Sequence, residues 1–77
     1  MGHFTLFVKN DCPACNLVKE RAARAGLLRQ IDVRNIETDP DAYDYLMSLG
    51  ARVVPVLVDP QGGVYVNHND CLRALGL

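Results

Sequence analysis

Two cysteines with two residues between them, Cys12-Pro13-Ala14-Cys15, stand between an apolar run and a helix-like run. They constrain this chain more than any other stretch. The run before them, Phe4-Thr5-Leu6-Phe7-Val8, is rich in aromatic and β-branched residues and has no breaker. It reads as a strand over residues 4–9, apolar enough to be buried on both faces. Asn10-Asp11 makes a turn, residues 13–25 follow with helical spacing, and Gly26 is a natural C-terminal cap. A CxxC pair at such a strand-to-helix turn is the redox pattern expected beside a βαβ unit.

Thiol–disulfide exchange requires this spacing, because one sulfur attacks and a second must then reach the first to release the product. With Cys12 as helix cap, Pro13 occupies the first helical position, where its missing N–H costs nothing. Cys12 then lies at the positive end of the helix dipole, which favours thiolate over thiol. Cys15 falls one turn in, on the apolar stripe of Val18, Ala22 and Ala25, and should be the more buried sulfur. The expected roles are asymmetric: Cys12 attacks and Cys15 resolves. Two other readings exist. A CxxC pair can be half of a tetrahedral zinc site, but that site needs four ligands. Cys71, His3 and His68 are the remaining candidates, with no second CxxC and no His pair at ligand spacing. Two buried, unreactive cysteines are the other reading, which Pro13 at a helix start disfavours.

The length of 77 residues accommodates one domain, residues 1–77, with a core so small that a compact, regular fold is needed. Apolar residues make up 49% and charged residues 22%, which is globular rather than disordered composition. The net charge of −1 and the lack of a basic stripe argue against a nucleic-acid partner. The apolar runs are too short to cross a bilayer. The N-terminus lacks a charged start followed by an apolar stretch and a cleavage site. Three cysteines are an odd count, unlike a secreted disulfide scaffold. They point to a reducing compartment, the cytosol.

The rest of the chain alternates strand and helix signals. Residues 28–36 contain the alternating Ile31-Asp32-Val33-Arg34 and read as a strand at or near a sheet edge. Asp39-Pro40 starts a second helix in which Ala42, Leu46 and Leu49 recur at helical spacing, with Tyr43, Tyr45 and Met47 as packing residues; Gly50 ends it. Residues 53–58 form a strand broken by Pro55. Asp59-Pro60-Gln61-Gly62-Gly63 closes a hairpin with residues 64–66. Asn69 or Asp70 caps a last helix with Leu72 and Leu75 inward. Cys71 reads as core, and His68 as a turn residue. The order is β-α-β-α-β-β-α.

These residues resemble the glutaredoxin and small thioredoxin-like family. Lys9-Asn10-Asp11-Cys12-Pro13-Ala14-Cys15, Leu49-Gly50-Ala51-Arg52-Val53-Val54-Pro55 and the order of elements carry the resemblance over nearly the whole chain. It implies a thioredoxin-like α/β fold with a mixed four-stranded sheet flanked by helices. It implies a cis Val54-Pro55 bond opposite the CxxC, with the backbone of Val54 pairing with the substrate chain. It implies a dithiol Cys12–Cys15 that reduces disulfides of proteins or small molecules, with Pro13 and Ala14 beside the substrate and no bound cofactor. Lys9 matches a lysine that holds the glutathione carboxylate, and Asp70 an acidic residue that binds its amine. Two positions depart from the family. Ala14 stands where an aromatic residue is usual, and Asn67-His68-Asn69 stands where the family has Gly-Gly.

The resemblance leaves two electron donors open, glutathione and thioredoxin reductase, the latter serving small glutaredoxin-like donors to enzymes such as ribonucleotide reductase. It also leaves two rivals: a metal or iron–sulfur carrier, and an interaction domain without turnover. The β-edge of so small a domain allows a monomer or a weak dimer.

Overall fold

The computed structural model describes residues 3–77. Residues 1 and 2, which open the expected 1–77 domain, lie outside the described residues. The elements are β1 (Phe4–Val8), α1 (Pro13–Arg24), a 3-10 turn (Leu28–Gln30), β2 (Ile31–Asn35), α2 (Pro40–Ser48), β3 (Val56–Val58), β4 (Val64–Tyr65) and α3 (His68–Ala74). The sheet order is β2-β1-β3-β4. β2 runs parallel to β1, with Leu6 opposite Val33. β3 runs antiparallel to β1, with Leu6 opposite Leu57, and β4 is antiparallel to β3.

Strand alternation divides the core. Leu6 and Val8 of β1, with Ile31 and Leu57, pack against Cys15, Val18 and Ala22 of α1 and Cys71 and Leu72 of α3. Phe7 points to the opposite face and packs with Val56, Val58 and Ala42, Leu46 and Ala51. Successive side chains of a strand face opposite sides, so a strand buried on both must be apolar throughout. Tyr45 of α2 lies tilted on Phe7, ring centroids 5.7 Å apart. Tyr43 is exposed.

The boundaries differ from expectation at four places, each with a local cause. Residues 28–30 form a 3-10 turn closed by Gln30 N–H to the Leu27 carbonyl at 2.9 Å, so β2 starts at Ile31. Ala25, expected on the inward stripe, is exposed. The helix stops at Arg24, and Gly26 takes φ 73 while Leu27 N–H reaches back to the Ala22 carbonyl at 2.9 Å, the hydrogen-bonded stop that a left-handed glycine permits. β3 starts only after Pro55, which has no N–H to give to a ladder. The cap of α3 is Asn67, not Asn69 or Asp70. Its Oδ1 accepts the Asp70 N–H at 2.9 Å and its Nδ2 donates to Asp70 Oδ2 at 3.2 Å, a reciprocal capping pair. Of the expected inward pair, Leu72 is buried and Leu75 half-buried, and Cys71 between them and β3 is the fully buried residue.

Two aspartates fasten the loops. Asp39 accepts the N–H groups of Asp41 and Ala42 at 3.1 and 3.2 Å, and its other oxygen pairs with Arg34 at 2.8 Å. The Arg34 hydrogen bond, then the Ala42 N–H, hold its carboxyl below the usual carboxylate value. Asp59 accepts Gly63 N–H at 2.8 Å, Gln61 N–H at 2.9 Å and Tyr65 O–H at 2.9 Å. The Gly63 N–H, then the Tyr65 hydroxyl, lower its pKa.

Replacing Leu46, which is wholly buried between α2 and the sheet, by Ala is expected to cost about 2–5 kcal/mol in a urea titration. Acid should weaken the fold through Asp39 and Asp59. Their folded pKa values lie below the unfolded ones, so on acidification the unfolded chain binds protons first. The stability they contribute is present above about pH 4 and is lost as pH falls through the folded values. Thermal melts should show this acid limb, and it should be shallower in the Asp39→Asn, Asp59→Asn double variant.

Candidate active site

β1 delivers the chain to the head of α1, and there the first turn of the helix is built on sulfur. Cys12 has extended backbone angles (φ −119, ψ 98), Pro13 is the first helical residue, and the Cys15 N–H donates to Cys12 Sγ at 3.2 Å. The first N–H groups of a helix have no partner within it. A cap sulfur that takes one of them sits where negative charge is favoured. Cys12 and Cys15 are joined as a disulfide with Cα atoms 5.2 Å apart, inside the separation of roughly 4.4–6.8 Å that such a bond spans. Cys15 is wholly buried, and Cys12 keeps 6% of its surface exposed. The outer and inner sulfurs are thus those expected.

Six of the site residues expected from sequence, Cys12, Pro13, Ala14, Cys15, Val54 and Pro55, come together. Ala14 and Val54 pack on the core cluster that holds Cys12 and Cys15. The Val54-Pro55 peptide bond is cis, and Pro55 is buried. Pro13, next to Cys12, is exposed. Val53, one residue before Val54, is 60% exposed, leaving an apolar corner.

Lys9 is different. It is exposed past the end of β1 and forms no ion pair among the described residues. Asp70 is not the α3 cap; one carboxylate oxygen is bonded to Asn67 and the other lies 3.4 Å from Arg73 Nη1. It lines a shallow groove of about 380 Å³ with Tyr65, Arg73 and Ala74. A second groove, of about 360 Å³, lies between α2 and the sheet, lined by Phe7, Arg34 and Tyr45 among others. Neither has a cysteine in its lining. Gly62 and Gly63 belong to the Asp59 hairpin, where Gly62 takes φ 91. His68 opens α3 and is half-buried, with no hydrogen bond to either sulfur.

Cys71 is wholly buried. Its Sγ lies 3.5 Å from the Tyr65 carbonyl oxygen and 3.9 Å from that of Pro55. Burial pushes its thiol up to about 11. It is therefore a neutral packing group under the cis-proline corner. Sequence reasoning placed it in the core, but its contact with that corner joins residues 16 apart in the chain and has no local signal.

A CxxC pair capping the first helix, beside a cis-proline corner on a sheet ordered β2-β1-β3-β4, defines a dithiol protein of thioredoxin-like fold. The solved structures agree on the fold. The thioredoxin-like protein BC3987 superposes with a TM-score of 0.80 at 22% identity, covering 94% of this chain and 97% of that one. A point mutant of it gives 0.81 at 21%, covering 96% and 99%. The glutaredoxin-like protein NrdH-redoxin from Escherichia coli gives 0.79 at 23%, covering 95% and 93%. No curated protein sequence matches the chain. The family model described as Glutaredoxin matches residues 4–66, and the chain belongs to the glutaredoxin family. Family and dithiol pair together support thiol oxidoreductase activity in general. No helix among the described residues is long and apolar enough to cross a membrane.

The three thiols should separate by reactivity after reduction. Native protein at neutral pH is expected to alkylate at Cys12 first and to leave Cys71 unlabelled until denaturant is added, as peptide mass mapping would read. The Cys71 pKa is raised on folding, so its contribution to stability is full below the usual thiol value of 9.0 and is lost as pH climbs toward 11.

Proposed function

We propose that the protein is a disulfide reductase that carries two electrons on Cys12 and Cys15, with no resident metal or flavin. The observation that carries this is the first turn of α1, with an outer sulfur capping the helix and an inner sulfur buried one turn on. The Cys12 thiolate attacks one sulfur of a substrate disulfide. A Cys12–substrate bond forms, the substrate S–S bond breaks, and the second substrate sulfur leaves as thiolate. The Cys15 thiol then gives up its proton and attacks Cys12 Sγ. The Cys12–Cys15 bond forms and the remaining substrate sulfur leaves with the electron pair. Substrate is reduced by two electrons and the pair is oxidised by two. In this reading the departing substrate thiolate or water accepts the Cys15 proton.

In this reading Val54 offers its backbone to the substrate chain across the cis bond, with Pro13, Ala14 and Pro55 as apolar walls. The electron donor is glutathione or thioredoxin reductase, and the head of α3 favours the second. Asn67 and His68 place side chains where a Gly-Gly backbone would meet glutathione, and both Asp70 oxygens already have partners. NrdH-redoxin, itself glutaredoxin-like, has a thioredoxin-like activity profile, which supports the same choice. With glutathione instead, Lys9 and Asp70 would meet its charged ends. Substrates are disulfide-bearing proteins of a reducing compartment, the cytosol.

Cys12→Ser should abolish disulfide reduction, and Cys15→Ser should accumulate mixed disulfides visible by intact mass. Full activity in the Cys12→Ser protein would sink the assignment. In glutathione buffers a reversible two-hydrogen mass loss is expected between roughly −200 and −270 mV.

A further inference from the structure

The turn that delivers Cys12 is held by side chains that the exchange chemistry does not use. β1 ends at Val8 and Cys12 caps α1, so three residues must redirect the chain. Asp11 does so at φ 52, a left-handed conformation uncommon for a residue other than glycine. Such a conformation persists only where its surroundings determine it. Here the surroundings are the connection from β2 to α2. The Asn10 N–H donates to Glu37 Oε1 at 2.9 Å. The Asn35 Nδ2 donates to Asn10 Oδ1 at 2.9 Å. The Glu37 N–H donates to Asn35 Oδ1 at 2.8 Å, which closes the ring. It starts where the two strands are already side by side, with Val8 opposite Asn35 and Ile36 N–H on the Val8 carbonyl at 2.9 Å.

Resting on the reading of Cys12 as the attacking thiol, the geometry points to Asn35 and Glu37 as positioning residues for that sulfur. They tie down both the backbone and the side chain of Asn10, and so set the turn at Asp11 and the line along which the first N–H groups of α1 meet Cys12 Sγ. Both act through Asn10 and neither has a hydrogen bond to sulfur. Glu37 works as a hydrogen-bond acceptor rather than as a charge. Its charge alone would oppose a nearby thiolate, whereas the alignment it maintains favours one.

That opposition makes the test. Reduced parent, Glu37→Ala, Glu37→Gln and Asn35→Ala proteins are compared by the pH midpoint of Cys12 alkylation and by kcat/KM on a protein disulfide. Lys9 and Asp11, the charged residues of the turn, are the same in all four. Glu37→Ala removes the carboxylate, which by charge alone would lower the midpoint; lost alignment raises it. Glu37→Gln removes the same charge and keeps an acceptor for the Asn10 N–H, and Asn35→Ala removes the donor to Asn10 without adding a charge. The expected result is a midpoint in Glu37→Ala above that of Glu37→Gln, a midpoint in Asn35→Ala above that of the parent, and about a tenfold lower kcat/KM in both, with Glu37→Gln at or below the parent's midpoint. A midpoint in Glu37→Ala no higher than in Glu37→Gln, an unmoved midpoint in Asn35→Ala, or an equal loss of kcat/KM in Glu37→Gln overturns the inference. A parent without reductase activity would overturn the proposed function instead, and the alkylation midpoint would still decide the role of the ring. Two independent lesions keep the test readable should one of them misfold.

Discussion

One sulfur atom at the head of α1 serves two ends, and the site follows from that. As a cap, Cys12 Sγ takes the Cys15 N–H and satisfies a helix terminus that would otherwise lack a partner. As the nucleophile of the proposed reaction it gains from the same N–H and from the helix dipole. The direction of that dipole is not set at the cysteines. Val18 and Ala22 are wholly buried against Leu6, Val8 and Ile31, so the helix axis, and with it the environment of the sulfur, is inherited from core packing further along the helix.

The sheet carries the second half of the arrangement. β1 lies between β2 and β3, and its neighbour β3 begins immediately after the cis-proline corner. Cys12 and Val54 thus descend from adjacent strands and pack on one cluster. Cys71 closes that cluster from α3, with two carbonyl oxygens around its sulfur. Burial suppresses its ionisation, so the third thiol stays neutral within the cluster that holds the disulfide.

Most of this was legible in the residues because it is local. A cap, a proline at the first helical position and an apolar stripe place Cys12, Cys15, Val18 and Ala22 without reference to the rest of the chain. The alternation of Ile31 to Arg34 marked an edge strand for the same reason. Misplaced boundaries came from competition between neighbours. Asn67, Asn69 and Asp70 are all capping residues, and only the reciprocal bond between Asn67 and Asp70 selects the first. The Leu28–Gln30 turn contains nothing that distinguishes it from a strand start. What stayed invisible is long-range. The ring of Asn10, Asn35 and Glu37 and the seat of Cys71 under Pro55 join segments that no periodicity connects, and their residues read singly as turn, strand or core.

The margins of the sheet differ in kind. On one side β2 presents a full five-residue strand, but Asp32 and Arg34 stand along it, and Arg34 is bound to Asp39. On the other, β4 has two residues before Asn67 turns the chain into α3. A charged border and a truncated one are both poor templates for adding a foreign strand. In the proposed function the backbone offered to another polypeptide is then the irregular stretch before Pro55, and geometry that discourages indiscriminate ladder growth along the flanks confines substrate docking to the corner where Val54 packs with the sulfurs.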